Sequence, residues 1–389
     1  MDGSGPGLAE VARQWGRIGV VGFGGPPAHV HLLRELCVER RGWIDDRQFE
    51  DAIAVTNLLP GPASTQLAVF CGWRVRGPIG AVVGGLCFIL PGLVLIVALA
   101  ALFLGGSPPE WLRGAGAGAG AAVAVVAVDA GLRLALPAWA RGARPDRVRL
   151  VAYAAIGAAA AATIGPWLVV VLLACGVAEV VRRGALPGTP RRIGAGLPGQ
   201  LLLAAGGAVA TGGLAALSWT AFKVGALSYG GGFVIIPLMQ ADAVDRYGWM
   251  TDGEFLNAVA LGQVTPGPVT HTVAVVGYAA AGIGGALLAA AVAFAPSFAF
   301  ILLGADRFDR LLADRTARAF LDGAGPAAIG AILGSSIPLA LAISEAWQVA
   351  ILAGAALAIF ALRRGVVTTL LVAGAAGAAA GLLGAPLPL

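Results

Sequence analysis

Apolar stretches long enough to cross a bilayer recur from one end of this chain to the other, separated by short polar loops. Residues 79–104, 283–303 and 115–136, the last charged only at Asp129 and Arg133, each supply the roughly 20 residues that a spanning helix needs. The pattern predicts an all-α polytopic membrane protein. Two other apolar segments are interrupted. Residues 50–73 are broken midway by Pro60-Gly61-Pro62, and Arg74 and Arg76 put the segment's end on the same side of the bilayer as its start. Residues 8–37 are broken at Gly24-Gly25-Pro26-Pro27. Arms of about ten residues reach ~15 Å, half of a ~30 Å hydrocarbon core, so both segments predict re-entrant helical hairpins with tips at the midplane.

The chain is one unit written twice. At an offset of 206 residues, Arg17 falls on Lys223, Phe23-Gly24-Gly25 on Tyr229-Gly230-Gly231, Trp43 on Trp249, Asn57 on Gln263 and Pro60-Gly61-Pro62 on Pro266-Gly267-Pro268. Loss of one residue then aligns Gly72 with Gly277 and Pro91 with Pro296. Cytoplasmic loops are enriched in arginine and lysine, and corresponding loops here carry opposite bias. Arg34, Arg40, Arg41 and Arg47 crowd the first copy's loop, whereas its counterpart holds Arg246 among four acidic residues. Further on, Arg307, Arg310, Arg315 and Arg318 reverse the balance. The expectation is two inverted-topology repeats, 1–192 and 218–389, joined by an inverting transmembrane linker at 193–217, an architecture of secondary transporters. The N-terminus is expected in the cytoplasm, uncleaved, and the C-terminus outside.

Composition narrows the function classes. Only 12% of the 389 residues are charged and 58% are hydrophobic, with a mean hydropathy of +0.84; soluble domains carry about twice that charge. The net charge of +5 comes from arginines scattered through loops, so no nucleic-acid partner is implied. Cys37, Cys71, Cys87 and Cys175 form no CxxC, and His29, His31 and His271 form no metal-ligand spacing, so neither a metal nor a cofactor is expected. No nucleophile–base pair or paired carboxylates flank the tips, which argues against an enzyme. The run from Gly114 to Gly120 alternates glycine and alanine for close helix packing.

The hairpin tips carry the candidate chemistry. Asn57, Ser64, Thr65 and Gln66 surround the first Pro-Gly-Pro; Gln263, Thr265, Thr270, His271 and Thr272 surround the second. With the backbone N–H groups at Gly24, Gly25, Gly61, Gly230, Gly231 and Gly267, these side chains can donate hydrogen bonds to an oxyanion; the alternative is that they only satisfy freed backbone groups. His29 sits close to the first break, and His271 reads either as a titrating group or as a neutral hydrogen-bonding one. Arg17 and Lys223, the only lysine, each precede a glycine break by seven residues. They read as partners of a dianion, or as charges that snorkel or pair with a carboxylate.

Phe23-Gly24-Gly25-Pro26 with Ala28-His29, the run from Asn57 to Gln66 around Pro60-Gly61-Pro62, Tyr229-Gly230-Gly231-Gly232, and Thr265-Pro266-Gly267-Pro268 together resemble the chromate ion transporter family in its long-chain, two-domain form. The resemblance spans both halves, roughly residues 15–100 and 220–300. It implies export of chromate across the plasma (inner) membrane, energised by the membrane potential or ion gradients, with the glycine and Pro-Gly-Pro segments, Arg17 and Lys223 as the functional core. The departure is Val269-Thr270-His271-Thr272, where the family has a more apolar run. Sulfate is isosteric with chromate, so a sulfate or other oxyanion carrier, or an anion channel, stands as the alternative. The expected partners are that oxyanion and the lipid bilayer, with room for a homodimer.

Overall fold

The computed structural model describes residues 6–59, 61–106, 108–141, 144–163, 168–184, 213–228, 235–304 and 314–387, and no strand occurs among them. In the first half, α1 is Leu8–Val21, α2 is Pro26–Arg34 running on into a π-helical turn Glu35–Arg40, α3 is Asp46–Leu58 and α4 is Ala63–Leu104. Helices α5 (Glu110–Ala121), α6 (Val123–Arg141), α7 (Arg144–Thr163) and α8 (Leu168–Arg182) follow. The second half holds α9 (Gly213–Leu227), α10 (Ile235–Gln240) with a π-helical turn Ala241–Arg246, α11 (Asp252–Val264) and α12 (Thr272–Gly304), the last entered through a 3-10 turn Val269–His271. It closes with α13 (Arg315–Leu341), α14 (Ala346–Ala356) and α15 (Val366–Leu382).

The sequence repeat is a structural repeat down to single torsions. Both π-helical turns end at a left-handed glycine, Gly42 (φ 59) and Gly248 (φ 58). The N–H groups of Trp43 and Ile44 close on the carbonyl of Cys37, as those of Trp249 and Met250 close on Ala243. Arg34 pairs with Asp46 and Glu50 to tie α2 to α3; at the matching positions Gln240 Nε2 donates to Asp252 at 3.0 Å, a neutral version of the same tie. Helix α4 is kinked at Arg76 (φ −144, ψ 25) and Gly77 (φ 64, ψ −159), and α12 repeats the kink at Ala281 (φ −155, ψ 32) and Gly282 (φ 61, ψ −153). The positive-φ pairs of Gly77 and Gly282 are open essentially to glycine alone, which is why glycine follows Arg76 and Ala281 at the kinks.

The halves interlock. At the centre α1 packs on α4, α9 on α12, and α4 on α12; Trp15 Nε1 donates to the Ala68 carbonyl at 2.8 Å, fixing α1 against α4. Further out the partners are exchanged, with α15 lying on α5, and α7 and α8 lying on α13. Small residues make that exchange close. A Cβ added at Gly377 would strike the Gly114 carbonyl, and one at Gly330 the Ala154 carbonyl, which is the close packing expected of the Gly114–Gly120 run.

This is a membrane protein. Among the described residues, Ala63–Leu104, Glu110–Ala140, Val269–Gly304 and Arg315–Leu341 are long and apolar enough to cross a bilayer. Side chains such as Val94, Leu303 and Leu341 stand outward, where lipid rather than water makes them favourable. The expected span at 115–136 falls within Glu110–Ala140, in which α5 and α6 meet at a turn at Ala122. The glycine break at 230–232 and most of the linker at 193–217 lie outside the described residues.

Candidate functional site

Proline chemistry sets the breaks. The residue before a proline avoids helical torsions and proline offers no N–H, so α3 stops at Leu58. Leu59 is extended (φ −74, ψ 142) and Pro62 likewise (φ −69, ψ 101), while Gly61 turns the chain with φ 123. The second copy agrees, with Thr265 at φ −87, ψ 147, Gly267 at φ 95 and Pro268 at φ −65, ψ 134.

The structure sets each Pro-Gly-Pro break against the opposite half. In one junction the Gly267 N–H donates to the Gly22 carbonyl at 2.9 Å. The same carbonyl lies 2.9 Å from His29 Nε2, which places the ring hydrogen on Nε2, because a carbonyl only accepts. His29 is fully buried and meets Phe88 edge-on at 5.0 Å. His271, also fully buried, lies against Gly92 and Gly267. Its ring is directed at the carbonyls of Ile89 and Pro266 without closing a hydrogen bond of normal geometry. Gly25 lies within reach of the Val269 side chain, whereas Gly24 is exposed at the edge of the break.

In the other junction a Cβ at Gly61 would lie 2.6 Å from Gln66 Nε2, 3.3 Å from the Gly225 carbonyl and 3.4 Å from Ser297 Oγ. Gln66 thus stands to Gly61 as His271 stands to Gly267, and Ser297 takes the place of Gly92. Ser64, Thr65 and Gln66 are buried. The side chain of Asn57, and Gly230 and Gly231, lie outside the described residues; Gln263, the counterpart of Asn57, is buried.

One feature marks the junctions chemically, and it is not capping. Helices α3, α11 and α13 are capped, by Asp45, a Thr251–Glu254 capping box and Asp314, whereas α1, α5 and α15 start without a side-chain cap. The starts at the breaks, at Pro26, Ala63 and Val269, also have no side-chain cap; at α2 the first two residues are prolines without an N–H, and the N–H groups of Ala28 and His29 close on the Gly25 carbonyl. Beside them Thr65 Oγ1, Ser228 Oγ, Gln263 Nε2, Thr270 Oγ1 and Ser297 Oγ are buried without a hydrogen-bond partner. Buried polar atoms rarely stay unpaired, and a cluster of them calls for an explanation.

The two predicted cations are not equivalent. Arg17 lies on an exposed face of α1. Lys223 is buried, and its Nζ is 2.5 Å from Asp242 Oδ2. Of the alternatives open in the sequence, Lys223 takes the pairing with a carboxylate. Leu36 stands at the position matching Asp242, so the first half has no such partner for Arg17. Asp242, Thr220, Ser228 and Ser297 were not singled out by sequence reasoning; the available signal for Asp242 was one acidic residue inside the otherwise uncharged run 235–244.

The family model for chromate transporters matches residues 9–180 and 215–382, one match in each half. The chain belongs to the chromate transporter family. It is 31% identical over 354 residues to a chromate transport protein of Cupriavidus metallidurans, covering 86% of this chain and 82% of that one. A chromate transport protein of Pseudomonas aeruginosa is 32% identical over 353 residues, 85% and 80% of the two chains. A probable chromate transport protein of Synechococcus elongatus is 28% identical over 348 residues, 85% and 84%. No solved structure matches the chain.

Proposed function

We propose that this chromate transporter family member is a secondary carrier that exports chromate across the plasma membrane, binding it at the bilayer midplane where the helix breaks of the two halves meet. The observation that carries the reading is the set of buried, unpartnered hydroxyl and amide groups beside the helix breaks, since a tetrahedral oxyanion supplies the acceptor oxygens that such donors lack. Helices α2, of 9 residues, and α3, of 13 residues, are too short to cross a ~30 Å core at 1.5 Å per residue, which supports re-entrant hairpins. In this reading Gly25, His29, Gly267, Thr270 and His271 serve one junction, and Asn57, Gly61, Ser64, Thr65 and Gln66 the other. Gly24, Gly230, Gly231 and Gln263 complete the tips, and Arg17 and Lys223 supply positive charge. Residues 1–192 and 218–389 are the inverted repeats and 193–217 the crossing that inverts them, with the N-terminus cytoplasmic.

Uptake of chromate into everted membrane vesicles, with sulfate as competitor and an ionophore control, tests the proposal. Saturable, ionophore-sensitive accumulation is expected. Uptake of sulfate but not chromate would move the substrate to another oxyanion, linear non-saturating flux would make the protein a channel, and no anion flux would overturn the assignment.

A further inference from the structure

Asp242 is wholly buried, yet only half of its carboxylate is satisfied. Oδ2 accepts from Lys223 Nζ at 2.5 Å and from Thr220 Oγ1 at 2.7 Å, while Oδ1 is buried with no hydrogen-bond partner. The lysine side chain keeps 10% of its surface open and the aspartate 0%. Of the two, Lys223 is the member that keeps an open face.

Among the described residues the cation bonded to that carboxylate is Lys223. A dianion drawn to the open side of Lys223 brings two negative charges next to that carboxylate, and two anions sharing one buried ammonium repel strongly in a low dielectric. The arrangement relaxes when Asp242 takes a proton, becoming a neutral carboxyl whose new O–H can donate. The charged and titratable groups around it do not relieve the crowding. On the same stretch stand Asp245, Arg246 and Tyr247; from α11 comes Asp252, bonded to Gln240; the ends of α7 and α13 bring Thr163, Pro338 and Leu341, all uncharged. Asp245 and Asp252 border a polar cavity of about 300 Å³ that also touches Gln240 and Ala241, adjacent to Asp242 in the chain.

We propose that Asp242 is a proton-binding site coupled to the oxyanion through Lys223: one dianion takes over the ammonium, and one proton from solution neutralises the displaced carboxylate. The inference rests on the reading of Lys223 as an oxyanion partner. Only the second half carries the device, because Leu36 occupies the matching position in the first.

Titrating chromate into the purified full-length protein at mildly alkaline pH, where chromate is a dianion, tests it by calorimetry in buffers of different ionisation enthalpy. Wild type is expected to take up close to one proton per anion bound, with affinity falling about tenfold per pH unit. Asp242→Asn should bind chromate with no proton uptake and a flat pH profile, and Asp242→Glu should restore both. Binding without proton uptake in wild type, or uptake that persists in Asp242→Asn, overturns the coupling and leaves the transport assignment intact. Absence of any chromate or sulfate binding overturns both. If Asp242→Asn fails to fold, the wild-type stoichiometry and the Asp242→Glu profile still decide.

Discussion

Gly61 and Gly267 turn the chain with φ 123 and φ 95, and each is crowded, Gly61 by Gln66 and Gly267 by His271. Alanine at either position meets backbone strain and a neighbouring side chain together. Gly61→Ala should destabilise the protein by about 1–3 kcal/mol and remove transport, read by thermal melting in detergent and by vesicle uptake. Gly42 has φ 59 but open space around it, so Gly42→Ala should cost about 1–2 kcal/mol from torsion alone and leave transport intact. The sequence marked Gly61 and Gly267 through their flanking prolines, a local signal. It also marked Lys223 as unusual but could not decide between anion and carboxylate, because Asp242 is 19 residues away in a separate element and no local pattern links them.

Helix pairs here are held by close approach rather than by bulky interdigitation. Where α5 meets α15, Gly114 and Gly118 face Gly377 so tightly that a Cβ on Gly377 would overlap backbone of the facing helix. Gly377→Val should therefore force the helices apart at a cost of about 1–3 kcal/mol or more, seen as a lower melting temperature. Gly374, whose added Cβ would find the Ala115 carbonyl at 3.4 Å, should accept alanine with little change. The glycine run was legible as a packing surface, but its partner was not. Small residues permit contact with any helix, and α15 is selected by the global path of the chain.

At the scale of the whole molecule, the matched π-helical turns, kinks and breaks make the two halves copies of one unit, and the proposed inversion predicts opposite exposure of equivalent loops. In a background lacking Cys37, Cys71, Cys87 and Cys175, cysteines at Arg40 and Arg246 should react with a membrane-impermeant thiol reagent from opposite faces. Labelling of both from one face would end the inverted topology. The sequence by itself determined the helical membrane class, the repeat with its one-residue register shift, the helix breaks and the polar residues beside them. These are properties of hydropathy, proline and glycine, which act within a few residues. Only the tertiary structure decided that Gly267 meets Gly22 and Gly61 meets Gly225 and Ser297 of the opposite half, that α15 crosses to α5 while α7 and α8 cross to α13, and that Lys223 is held by Asp242 while Arg17 stays exposed. Those outcomes depend on which faces meet after the chain has folded back on itself, and contacts between residues far apart in sequence leave no periodic or local trace from which to read them.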